Sequence, residues 1–66
     1  MGNIRLAEIR KAQGLSQERL SELSGVARVT IARIETGRTS PNMETMKRLA
    51  DVLNVPLDVL AGRKGA

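Results

Sequence analysis

The 66-residue sequence predicts an all-α fold of five short helices, and three observations carry that prediction. Apolar residues recur at three- and four-residue intervals along most of the chain, which is the period of a helix with one buried side. The periodic segments are separated by Gly14, Gly25, Gly37 and the Asn54-Val55-Pro56 stretch, residue types that end helices or redirect the chain. No segment carries a strand signal.

The first helix is expected over residues 3–13, with Leu6 and Ile9 three positions apart and Gly14 as its stop. Ser16 can cap a second helix over residues 17–24, because its hydroxyl accepts a first-turn N–H that has no helical partner. Leu20 and Leu23 are expected on one side of it, and Gly25 ends it through its tolerance of positive φ. The third helix begins at Ala27 or Arg28 and runs to Thr36. Residues 37–41, Gly-Arg-Thr-Ser-Pro, form a turn-rich loop. Asn42 is the cap expected for a fourth helix with Met43, Met46, Leu49, Ala50 and Leu53 as its buried stripe, Glu44 near the positive end of its dipole, and Asn54 as its stop. Pro56 suits the start of a short fifth helix containing Leu57 and Leu60, with Asp58 in its first turn. Residues 1–61 are thus expected to form one domain and residues 62–66 a frayed basic tail.

Composition narrows the functional classes. A chain this short buries only about 60% of the surface that it exposes when unfolded, and it has neither Cys nor His. Disulfides and His- or Cys-ligated metals are therefore excluded as staples, and no cofactor is expected. The lack of Phe, Tyr and Trp disfavours modules that stack single-stranded bases on aromatic platforms. Eleven Lys and Arg against seven Asp and Glu give a net charge of +4, which favours a polyanionic partner. Asp51 and Asp58 read as a solvated helix face and a first-turn residue, and no carboxylate pair suggests enzymatic chemistry. No apolar run approaches the ~20 residues needed to cross a bilayer, and residues 1–13 lack the apolar block of a secretory signal. A cytoplasmic location is expected.

The placement of charge says more than its sum. At about 100° per residue, Ile31 and Ile34 share one side of the third helix with Ala27. Val29, Ala32, Arg33 and Thr36 face the opposite way, and Arg28 lies between the two faces. Small, apolar and cationic side chains on the outward face suit the base edges of a DNA groove better than open solvent, where Lys and Glu usually intersperse.

The ordered set Gly14-Leu15-Ser16-Gln17, Leu20, Gly25-Val26, Ile31, Ile34-Glu35 and Gly37, followed by Ser40-Pro41 and the stripe of the fourth helix, resembles the Cro/repressor-type (XRE-like) helix-turn-helix family from about Leu6 to Leu60. The resemblance implies a lambda-repressor-like DNA-binding domain in which the second and third helices form the motif. It assigns base reading to Arg28, Val29, Thr30 and Arg33. An arginine can pair with guanine O6 and N7, and Val29 can pack on a thymine methyl. Phosphate contacts map to Gln17, the Gly37 N–H, Arg38 and Thr39, which set register without reading sequence. Arg10 and Glu35 match a structural salt bridge between the first and third helices.

Three positions depart from the family pattern. Ala27 stands where Ser or Thr usually caps the third helix, Ser21 where Ala is customary, and Pro56 where a capping Ser is common. A lost cap costs typically about 1 kcal/mol, so the third helix is expected to start at Arg28 and to fray there.

One such module makes few base contacts, so a homodimer on an operator with inverted half-sites about 34 Å apart is expected. The resemblance places the dimer contact at the end of the fourth helix and the fifth, where Val55, Val59 and Ala61 form the candidate patch. The implied function is sequence-specific binding of double-stranded DNA in transcription regulation, repressor-like, by occluding or recruiting polymerase. The alternative is an antitoxin that also binds a protein toxin, for which residues beyond Ala61 offer little room.

Overall fold

In the computed structural model, which describes residues 4–62, five helices follow one another: α1 (Leu6–Ala12), α2 (Gln17–Ser24), α3 (Arg28–Glu35), α4 (Met43–Leu53) and α5 (Leu57–Ala61). The expected helical residue Asn3 and the tail after Gly62 lie outside the described residues. Among these residues there is no strand, and no helix is long and apolar enough to cross a membrane.

Two helices start where a side chain says they should. The Ser16 hydroxyl accepts the Arg19 N–H at 2.9 Å and the Asn42 amide oxygen accepts the Thr45 N–H at 2.8 Å, each satisfying a first-turn donor that has no helical carbonyl to pair with. α4 closes on Asn54 in the left-handed region (φ 57°), a conformation that Asn adopts more readily than most residues. α1 begins later than residue 3. Arg5 is its N-cap residue, with non-helical backbone angles, and its N–H donates to the Leu60 carbonyl at 2.9 Å, so this segment is tied to α5 before the helix can start.

The core joins all five helices. Leu6, Leu20, Ile31, Leu49, Leu53 and Leu60 are fully buried, and Ile34, Val26, Ala50 and Met46 complete the cluster. Burial of such side chains contributes roughly 1.5–3 kcal/mol each, which is how a small domain without disulfides holds together.

Two residues expected on buried stripes are not buried. α2 is covered along Leu20 and Ser24, with Gln17 and Ser21 half-buried beside them, and Leu23 is exposed at the rim. On α4 the covered line begins at Met46; Met43, one turn earlier, overhangs the core edge at 63% exposure. It lines a cleft of about 190 Å³ together with Met46, Leu57, Asp58 and Ala61.

Candidate nucleic-acid interface

The junction of the motif helices is built from local hydrogen bonds. Gly25 has φ 77° and ends α2 with its N–H on the Ser21 carbonyl, a backbone conformation that a Cβ would strain. The buried Ser24 hydroxyl then accepts the Val26 N–H at 3.1 Å, and Val26 drops into the core. α3 starts at Arg28 with Ala27 as a cap residue that offers no side-chain acceptor. The observed start at Arg28 is the expected one, although a capped helix starts one residue after its cap in the same way, as α2 does after Ser16.

The far end of α3 is held by a buried carboxylate. Arg10 on α1 donates to Glu35 from Nε at 2.7 Å and from Nη2 at 3.1 Å. Its Nη1 donates to the Leu15 carbonyl at 2.8 Å. Gln17, at the start of α2, donates from Nε2 to Glu35 Oε1 at 2.9 Å. The Arg10 and Glu35 side chains are only 9% and 6% exposed, so this pair links three helices out of water. Burial pushes the Glu35 pKa up, but the hydrogen bonds from Arg10 and Gln17 and the charges of Arg10 and Lys11 outweigh it, and the carboxyl is held below its ordinary value. The Arg10–Glu35 pair is the one that the family resemblance implies. The sequence carries no sign that Gln17 bonds to Glu35, nor that Gln13 Nε2 caps α4 by donating to the Leu53 carbonyl at 2.7 Å. Both bonds join residues far apart in the chain and leave no periodic signal.

With Ile31 and Ile34 buried beneath, α3 turns Arg28, Val29 and Arg33 to the outside, Val29 being 57% exposed. Thr30 is half-buried on one flank. Ala32 is half-buried too, rather than fully outward, because it stands one residue, about 100°, from Ile31. The Thr36 hydroxyl turns back and donates to the Ala32 carbonyl at 3.0 Å. After the helix, Gly37 has φ 76°; its N–H donates to the Ile34 carbonyl at 3.1 Å and the Arg38 N–H to the Arg33 carbonyl at 2.8 Å, a closure that satisfies the last carbonyls of α3. Arg38 and Thr39 are exposed in the loop that follows.

Among the described residues, ion pairs engage Arg5, Arg10, Arg19 and Arg48. Arg28, Arg33 and Arg38 are not among them. Among the described residues these three cations, like Lys11 and Lys47, form no ion pair, and their clustering on one helix and the loop after it is the electrostatic footprint of a surface that meets an anion. On α5, Val59 is exposed, while Ala61 and the preceding Val55 are half-buried against the core.

Comparison with known proteins places this geometry. The sequence profile of the helix-turn-helix family matches residues 6–60. The chain is similar to the HTH-type transcriptional regulator PuuR of Escherichia coli strain K12, with 45% identity over 53 residues that cover 80% of this chain and 29% of PuuR. It is also similar to the uncharacterized HTH-type transcriptional regulator RghRB of Bacillus subtilis strain 168, with 41% identity over 61 residues, 91% of this chain and 44% of RghRB. It thus spans less than half the length of these two relatives. Among solved structures, the restriction-modification controller protein C.AhdI from Aeromonas hydrophila superposes with a TM-score of 0.81 at 38% identity, covering 85% of both chains. The SinR protein/SinI protein complex gives 0.86 at 30% identity, over 98% of this chain and 64% of that one. The chain belongs to the helix-turn-helix family of DNA-binding transcriptional regulators.

Proposed function

We propose that this protein regulates transcription as a homodimer that reads an operator of two inverted half-sites, each copy laying α3 in a major groove. Arg28, Val29, Thr30 and Arg33 read base edges, and Gln17, Gly37, Arg38 and Thr39 contact phosphates. The observation that carries this reading is the set of exposed arginines of α3 and its loop without internal carboxylate partners. Gln17 serves two purposes: its amide is committed to Glu35, while its backbone N–H, in the first turn of α2, has no helical carbonyl to pair with and suits a phosphate. The Gly37 N–H already meets the Ile34 carbonyl, so a phosphate there shares it. The dimer contact forms through α5, with exposed Val59 at its centre and Val55 and Ala61 at its edge.

Selection of bound sequences from a random duplex pool tests the reading, and two inverted half-sites about one helical turn apart are expected. With that operator in hand, Arg33→Ala weakens binding by ~1–3 kcal/mol and flattens the preference at one base pair, whereas Arg38→Ala weakens every sequence alike. Equal losses from Arg33→Ala on operator and random DNA contradict base reading by that residue.

A further inference from the structure

A second basic feature adjoins α3 from outside the motif. A cleft of about 380 Å³ runs between the entry end of α3 and the start of α4, and its lining includes Gly25, Ala27, Thr30, Glu44, Thr45 and Arg48. The Arg48 guanidinium is parked against the motif turn. Its Nη1 lies 3.2 Å from where a Cβ on residue 25 would stand, so a side chain there would push the guanidinium back by a few tenths of an ångström. Its Nη2 donates to Glu44 Oε2 at 3.1 Å, and the two side chains are 52% and 72% exposed. A guanidinium carries five N–H donors, and this contact uses one of them.

We propose that Arg48 is a DNA-phosphate contact supplied by α4, with Thr30 and Thr45 lining the same cleft and Glu44 holding it in the unbound protein. The proposal rests on the reading that α3 enters a major groove. A helix with its side chains is about 10–12 Å across and the groove is about 12 Å wide, so when the outer face of α3 meets base edges its flanks lie against the two phosphate backbones. Thr30 is on such a flank, and the cleft beside it then faces one strand. A half-exposed arginine with spare donors matches a phosphate at that position by charge and geometry. Because phosphates carry no sequence, Arg48 adds affinity and not selectivity.

The test is a titration of labelled operator and random-sequence duplexes by fluorescence anisotropy over a series of salt concentrations, for wild type, Arg48→Ala and Arg48→Lys. Arg48→Ala is expected to weaken both duplexes alike, by about tenfold at low salt, and to reduce the logarithmic salt slope by about one for each protomer bound. Arg48→Lys keeps the charge and restores the slope. A loss of thermal stability in Arg48→Ala with affinity and slope unchanged would mean a purely structural residue and overturns the proposal, as does a loss confined to the operator. Failure of the wild type to bind any duplex defeats the groove reading itself, and this proposal with it.

Discussion

The two ends of α3 differ in how they are tied to the rest of the fold. At its C-terminal end, Glu35 sits out of water and accepts hydrogen bonds from α1 and α2; at its N-terminal end, Ala27 provides no cap and the nearby Arg48–Glu44 pair is largely solvated. An arginine–glutamate pair lies near each end, but Arg48 and Glu44 pair within α4, and only the buried pair ties α3 to other helices. Exposed pairs contribute about 0–1 kcal/mol, whereas breaking a buried one leaves a charge without its partner at a cost of about 3–5 kcal/mol. The helix is therefore fixed where it joins the scaffold and adaptable where Arg28 and Val29 project.

The largest effect belongs to the anchored end. Glu35→Ala strands the Arg10 guanidinium and removes the acceptor of Gln17, and a loss of about 3–5 kcal/mol in urea unfolding is expected. Glu44→Ala is the matched control and changes stability by less than about 1 kcal/mol. Similar losses at the two sites would erase the contrast.

Acid provides the next test. The Glu35 carboxyl is held below its ordinary value in the fold, so the stability it contributes is complete above the unfolded-state value of about 4.3 and disappears as pH falls through the folded-state value. The thermal midpoint of the wild type should fall more steeply below about pH 4 than that of Glu35→Gln. Parallel acid limbs would show that the buried pair is not coupled to folding.

How far these contrasts could be seen in the sequence depended on how local their causes are. The starts of α2 and α4 were legible because Ser16 and Asn42 bond to residues three positions on. The uncapped start of α3 was legible for the same reason, as a missing hydroxyl at Ala27. By contrast, the start of α1 is set by Leu60, which no local pattern reveals. Periodicity placed Leu23 and Met43 on apolar stripes, but which members of a stripe are covered depends on where neighbouring helices end. Of the interface, the outward face of α3 could be read from its angular spacing. The Arg48 cleft could not, since residues 25–30 and 44–48 meet only after folding.

A smaller effect sharpens the free end. Ala27→Ser restores a side-chain acceptor and should stabilise the protein by about 1 kcal/mol, with slower amide exchange at Val29, since the Thr30 N–H already donates to the Ala27 carbonyl. If α3 gains nothing from a serine there, its entry end is already satisfied by other means.

The central claim is that α3, anchored through Glu35, presents its outer face to duplex DNA. Amide chemical shifts followed while the operator duplex is added at low ionic strength test this most directly. Large changes are expected at Arg28, Val29, Arg33 and Arg38, with those of α5 outside the dimer contact nearly still; unmoved α3 signals under saturating duplex would mean that α3 does not meet DNA.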